Sequence, residues 1–318
     1  MADLALPTGL SRRLHVRSPG IWVILALLIL VFAVTAPGFL SQRNITNIGQ
    51  QSSILLILAL PMTLIILTEG LDLSMGALTG LVSMGIALTS SLGYPVPVAI
   101  LVGLSIGFAG GLFNGVLVAK LQIPPFVGTL GTLGMAQGLA VVMTDGQSIV
   151  DIADAIPDFY SARVLGMPAP VLVAVIAYAV THFLLYRTQF GVAVFALGGN
   201  REAWKLAGGH VDRCLIAVYG FAGLMVGIAG FLFTARMSAG HPTASLGMEF
   251  DALAAVALGG TSFERGNGWL FGTVLGVLAI GVLRNGLNLL GFASSMQVVS
   301  VGLLVLVALF IDGFRRGS

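Results

Sequence analysis

The chain has 318 residues, of which 57% are hydrophobic and 9% charged, and its formal net charge is +2. A soluble domain has about a quarter of its residues charged, and 15 basic with 13 acidic side chains are too few to give a chain this long a water-facing surface. Composition therefore excludes a water-soluble globular protein, gives no ground for a nucleic-acid partner, and places the chain in the membrane.

The N-terminal stretch MADLALPTGLSRRLHVRSPG sets basic residues before an apolar run from Ile21 to Ala36, the layout of a secretory signal. No small-residue cleavage site stands out and more apolar runs follow, so the run reads as a retained first helix. A bilayer core of about 30 Å needs about 20 apolar residues per helix, and a scan on that basis gives ten segments: about 20–37, 50–68, 73–92, 96–119, 125–144, 169–187, 214–237, 249–261, 268–290 and 295–313. The eighth is too short to cross and reads as a broken or re-entrant element. The predicted fold is all-α, a polytopic membrane helix bundle of about ten spans.

Charge sets the orientation. With the N-terminus inside, Arg12, Arg13, Arg17, Lys120, Arg187, Arg201, Lys205, Arg213, Arg265, Arg315 and Arg316 fall on the cytoplasmic side. Arg43, Arg163, Arg236 and Arg284 fall outside or near the outer edge, which leaves 11 of 15 basic residues inside. Both termini are then cytoplasmic. The chain divides into an N-terminal tail (1–19), one transmembrane domain (20–313) with a cytoplasmic loop at 187–213, and a short C-terminal tail (314–318). The loop DGQSIVDIADAIPDFYSARVLGMP, at 145–168, lies outside and has enough apolar residues to fold back on the surface.

Two segments look alike. FNGVLVAKLQIPPFVGTLG (113–131) aligns with RNGLNLLGFASSMQVVSVG (284–302), setting Asn114-Gly115 over Asn285-Gly286. Upstream, Asp72 stands eight residues before Gly80, as Asp251 does before Gly259. Five spans per half would make such a repeat inverted, which in transporters puts a pathway at the interface of the halves. Chance likeness between Gly-rich apolar helices is the competing account.

Gly103 to Gly107, GLSIG, matches the hydrolase pattern G-x-S-x-G. No strand precedes it, no histidine or paired acid is placed to activate Ser105, and the glycines continue at 107, 111 and 115. That four-residue stripe is what closely packed membrane helices use, as are Gly76/Gly80, Gly223/Gly227 and Gly272/Gly276. Glu69, Asp72, Glu249 and Asp251 lie at breaks before the third and eighth segments. A charge in the membrane points to function, while Asp72 and Asp251 also suit helix N-termini as caps. Asn114 and Asn285 either present amides to a hydroxylated solute or bond between helices, and Phe126 and Gln137 in the fifth segment are weaker pathway residues. Pro61, Pro124 and Pro125 mark a kink and a helix start. Cys214 is the only cysteine, and histidines 15, 182, 210 and 241 lack ligand spacing, so no metal is expected.

The charged island GGNREAWKLAGGHVDR at 198–213 predicts a short amphipathic helix over Arg201, Glu202, Ala203, Trp204 and Lys205, stopped at Gly208-Gly209. It resembles the EAA loop of ATP-binding-cassette importer permeases, a cytoplasmic helix that couples to the ATPase. GLDLSMGALTG, FNGVLVAKLQIPPFVGTLGTL, GGNREAWKLAG and FDALAAVALGGTSFERGNG also occur in the order seen in ribose-type sugar permeases, over roughly residues 45 to 313. The resemblance implies a bacterial inner-membrane permease with about ten helices. It also implies three kinds of partner: a second permease subunit, identical or similar; cytoplasmic ATPase subunits; and a periplasmic binding protein that delivers a monosaccharide or related solute. Arg201 to Lys205 and Gly208 would couple to the ATPase, and Glu69, Asp72, Asn114, Phe126, Gln137, Asp251 and Asn285 would line or gate the pathway.

This sequence departs from the pattern at Glu69, where glycine is usual, at Trp204, where alanine is common, and at Phe263, Glu264 and Arg265, where small residues are common. These affect the inner gate, the docking surface and an inner loop. No G-x-x-x-x-G-K-[ST] occurs and the only lysines are Lys120 and Lys205, so ATP and Mg are expected on a partner and no cofactor in this chain. A secondary transporter with Glu69 or Asp72 as coupling acid is the alternative.

Overall fold

The computed structural model describes residues 19–262 and 266–316. The tails 1–18 and 317–318, with Arg12, Arg13 and Arg17, and the departures Phe263, Glu264 and Arg265 lie outside the described residues. Thirteen α-helices follow in chain order among these: α1 (Pro19–Thr35), α2 (Gln42–Leu67), α3 (Met75–Ser91), α4 (Val96–Ala119), α5 (Pro125–Val142), α6 (Ala155–Ser161), α7 (Ala169–Arg187), α8 (Gln189–Gly199), α9 (Arg201–Leu206), α10 (Val211–Met237), α11 (Met248–Leu258), α12 (Leu270–Leu289) and α13 (Ser294–Arg316). Between α6 and α7, β1 (Arg163–Val164) pairs antiparallel with β2 (Met167–Pro168). The outer loop expected at 145–168 thus folds into a short helix and a hairpin.

Six helices, α2, α4, α5, α7, α10 and α12, are long and apolar enough to cross a membrane. The apolar helices α1, α3 and α8 are shorter, as is the Ser294–Val307 part of α13, and α11 has only 11 residues, in keeping with the short eighth segment. Helix α2 starts at Gln42, well before the expected residue 50, because its first turns (QRNITNIGQQ) are polar and a hydropathy scan passes over them. The Ser41 side chain accepts from the Asn44 N–H and starts the helix. The stretch 187–213, expected as a loop with one short helix, holds α8 as well as α9; the apolar α8 spans only about 17 Å, too short to register as a span.

Helices α2 and α10 form the centre. From Ile54 to Leu67 the side chains of α2 are almost entirely buried, and α7, α10, α11 and α12 pack around it. Outer helices show the reverse: Val34, Leu101, Val142 and Phe183 are exposed, which suits lipid tails and not water. A helix apolar on all sides is either enclosed by protein or faces lipid, and both cases occur here.

The contact between α4 and α10 explains the glycine stripe. A Cβ at Gly107 would lie 2.7 Å from the Gly227 nitrogen, one at Gly111 would lie 2.7 Å from Gly223 Cα, and one at Gly115 would lie 2.9 Å from Ile216 Cα. Backbone meets backbone here, as small-xxx-small spacing allows. Ser105, the hydrolase-like serine, donates to the Leu101 carbonyl one turn back at 2.7 Å.

Candidate functional site

The chain from Gly70 to Ser74, between α2 and α3, is neither helix nor strand. Irregular backbone at membrane depth must be satisfied by protein, and side chains from three helices do this. Tyr219 of α10, fully buried, donates to the Leu71 carbonyl at 3.3 Å. Thr129 of α5 accepts from the Leu73 N–H at 3.2 Å. Asp72, 2% exposed, accepts from the Ser74 N–H at 2.8 Å and from the Ser74 hydroxyl at 2.6 Å. Asn114 of α4 donates to Ser74 Oγ at 2.8 Å, sits 3.4 Å from Asp72 Oδ2, and accepts from Thr132 of α5 at 2.6 Å. The structure thus joins Asp72 and Asn114 in one buried network with Ser74 and Thr132. Asp72 holds the approach to α3 and does not cap its first turn, since the bond goes to the N-cap residue itself.

Asp251 lies inside the first turn of α11, where its charge suits the helix dipole. Its side chain is not a cap: Arg284 Nη2 of α12 binds Asp251 Oδ1 at 2.7 Å. The reach back to the helix start is made by Glu249, which accepts from the Gly247 N–H at 3.0 Å. Asn285 exchanges two amide bonds with Asn44 of α2, at 2.8 and 2.9 Å. Aligned residues of the two halves are therefore used differently, Asn114 beside Asp72 but Asn285 beside Asn44.

Glu69 belongs to another feature. A cavity of about 510 Å³ opens between the α2–α3 turn, the α4–α5 turn and α9, with Glu69, Gln122, Arg201, Glu202, Lys205 and Asp212 on its wall. Glu69 and Gln122 both have positive φ, 60° and 53°, which non-glycine residues seldom adopt. At the rim Lys120 meets Asp212 at 3.1 Å, an exposed pair that contributes little to stability.

Helix α9 is the predicted amphipathic helix of the island. The Asn200 side chain accepts from the Ala203 N–H at 2.9 Å at its start, and Gly208, with φ 85°, turns the chain out at its end. None of its residues is buried, and Leu206 is 88% exposed. Half-buried Trp204 lies against Gly209, where any side chain would meet the indole.

The structure therefore puts Glu69, Arg201, Glu202 and Lys205 around one cavity, while Asp72 with Asn114, and Asn285 with Asn44, sit in separate buried contacts and Asp251 in a partly buried one with Arg284. On α5, Phe126 is exposed and Gln137 half-buried, apart from these clusters. Sequence reasoning passed over Ser74, Thr129, Thr132, Tyr219 and Asn44. Thr129 and Thr132, three apart on an apolar helix, are the signal that would have marked one side of α5 as polar.

A family model described as branched-chain amino acid transport system / permease component matches residues 44–309. The ribose import permease protein of Escherichia coli K12 is 39% identical over 299 residues, 92% of this chain and 93% of that protein. The ribose import permease protein of Bacillus subtilis 168 is 38% identical over 290 residues, 91% and 90% of the two chains. The D-allose transport system permease protein of Escherichia coli K12 is 36% identical over 295 residues, covering 92% and 90%. No solved structure matches the chain at a significant level.

Proposed function

The chain belongs to the branched-chain amino acid transport system / permease component family, and on that premise we propose that it is the translocation subunit of an ATP-driven importer for a monosaccharide or similar small polar solute. The solute class rests on the relatives, which import ribose and D-allose by name. The drive rests on one observation: α9 carries charged residues and an exposed Leu206, buries no residue of its own, and borders the cavity that holds Glu69. A helix so exposed on a chain with no phosphate-binding loop suits docking to a separate ATPase, which would bind ATP and Mg.

In this mechanism the chain sits in the bacterial inner membrane with both termini in the cytoplasm. Six longer helices with α1, α3 and α13 give about ten passes once the part-way α11 is included, arranged as two inverted halves. A second permease subunit completes the pathway, and a periplasmic binding protein delivers the solute. Closure of the ATPase pair pushes on Arg201 to Gly208, and rigid helix groups tilt because their glycine contacts slide as units. Glu69, next to α9, gates the inner end. Asp72, Asn114, Phe126, Gln137, Asp251 and Asn285 hold or line the moving elements.

Co-purification with candidate ATPase subunits tests this directly. Wild type should form a stable complex that hydrolyses ATP, and Glu202→Lys with Gly208→Trp should abolish it while the chain stays monodisperse. Solute uptake that follows a proton or sodium gradient, with no ATPase bound, would overturn the proposal and make Glu69 and Asp72 the coupling acids.

A further inference from the structure

A second cavity, also of about 510 Å³, opens between the start of α2 and the β1–β2 hairpin, with Gln42, Arg43, Thr46, Asn47, Gln50 and Arg163 on its wall. Helix α2 runs from there to Thr68 and Glu69 at the first cavity, a rise of about 39 Å at about 1.5 Å per residue. That exceeds a hydrocarbon core of about 30 Å, so the two cavities lie toward opposite faces of the membrane. With α9 cytoplasmic, this one faces outward.

Its charge is of one sign. Arg43, Thr46, Asn47 and Gln50 share one side of α2 by their three- and four-residue spacing, and Arg163 comes from β1. Both arginines are exposed, and Arg163 donates to the Gly166 carbonyl at 3.4 Å. No carboxylate lines the cavity, and neither arginine is in an ion pair among the described residues. Two uncompensated guanidinium groups on one concave wall repel each other and attract an anion. Arginine grips a phosphate with paired hydrogen bonds, and the Thr46 hydroxyl and Asn47 amide can donate to the oxygens that remain.

The hairpin indicates what carries the anion. Leu165 and Gly166 form its two-residue turn, both with positive φ, 53° and 81°, positions that Asn and Gly ordinarily fill. A leucine there is conformationally strained and also 91% exposed, with Val164 and Met167 exposed beside it. Water favours neither feature, whereas a lipid surface takes in an apolar tip. Leu40 and Ile45, which flank Gln42 and Arg43 in the chain, are exposed too. Apolar side chains set beside unpaired basic ones suit the headgroup layer of an anionic membrane.

We propose that this cavity binds the phosphate headgroup of an anionic phospholipid in the outer leaflet, with Arg43 and Arg163 on the phosphate and the Leu165 turn among the acyl chains. The site takes only its orientation from the import reading above.

The test uses the full chain, purified in detergent and stripped of lipid, titrated with phosphatidylglycerol, phosphatidylethanolamine or inorganic phosphate. Native mass spectrometry counts bound lipid, and thermal unfolding is followed alongside. Phosphatidylglycerol should bind and raise the unfolding midpoint, and net-neutral phosphatidylethanolamine at the same concentration should not. Arg43→Gln with Arg163→Gln should weaken binding about thirtyfold, the contribution of two basic residues near an anionic headgroup, while Arg43→Lys with Arg163→Lys keeps most of it. Leu165→Asn relieves the turn, so it should raise the midpoint of the lipid-free chain and yet lower lipid binding. If the glutamine pair binds phosphatidylglycerol as wild type does, or phosphatidylethanolamine binds equally well, the site is overturned. Equal protection by inorganic phosphate would make it a free-anion site and overturn the lipid. If no lipid binds and the glutamine pair instead loses the periplasmic binding protein, the face is a protein dock and the proposal falls. Asn47→Cys in a Cys214→Ser background should be labelled in intact spheroplasts by a membrane-impermeant thiol reagent; labelling only after lysis would overturn the outer-leaflet placement and the orientation used for import. The lipid counts involve no transport, so a failure of the headgroup site leaves import standing.

Discussion

Gly111→Ala perturbs the line along which α4 and α10 touch, and the structure fixes its cost. The new Cβ would run into the Tyr219 carbonyl oxygen and lie 2.7 Å from Gly223 Cα. Contacting carbons sit about 3.5–4.0 Å apart, so the helices must separate by about 1 Å. Both obstacles are backbone, so no rotamer change relieves the contact. Overpacking of this kind costs about 1–3 kcal/mol, against about 1 kcal/mol gained from the higher helix propensity of alanine. The net loss is up to about 2 kcal/mol against wild type, and about 1–3 kcal/mol against the same change at a glycine with open space around it, felt also at Gly107 and Gly115 on the same line. The same change at Gly134 of α5 or Gly302 of α13 meets nothing within 4 Å and should leave stability level or raise it by up to about 1 kcal/mol. Thermal unfolding of the purified chain in one detergent, read as monodisperse protein remaining after heating, separates these cases. A Gly111→Ala midpoint that equals or exceeds that of Gly134→Ala would refute the close contact.

Asn44→Leu should destabilise by about 1–3 kcal/mol because it strands the Asn285 amide, and Asn44→Leu with Asn285→Leu should cost less than the two single changes added; equal and additive losses in thermal unfolding would show the pair is not coupled. Glu69→Gly removes a left-handed conformation that costs a side chain about 1–2 kcal/mol, so stability should hold or rise while uptake changes; a loss above about 1 kcal/mol would contradict the strain at φ 60°. Ser105→Ala should change stability by less than about 0.5 kcal/mol and leave uptake at wild-type rate, since the hydroxyl serves only its own helix; lost uptake in a well-folded variant would revive the hydrolase reading.

The helices were legible wherever a long apolar run ended in a turn. α4 and α7 coincide with their expected bounds because Pro95 and Pro168 start them and polar residues follow. The polar first turns of α2 were missed because polar residues carry no hydropathy signal, although one of them, Asn44, is buried and finds Asn285. Apolar α8 was folded into the cytoplasmic loop for want of length. At the candidate site, charge and spacing picked out the island with its stop at Gly208, and Asp72, Asn114, Asp251 and Asn285 stood out as polar residues in apolar surroundings. Their partners did not, because serine and threonine are tolerated anywhere on a membrane helix by bonding to their own backbone.

Sequence alone determined that the chain lies in a membrane, that glycine stripes bring helices close, and that one short charged helix stands apart, because each follows from local composition and period. Only the tertiary structure decided which stripe meets which, that Asp72 is anchored by Asn114 and Ser74, that Arg284 pairs with Asp251, and that Glu69 shares a cavity with α9. Those are pairings between residues distant in the chain, and they are set by how the buried helices cross, which no local period records.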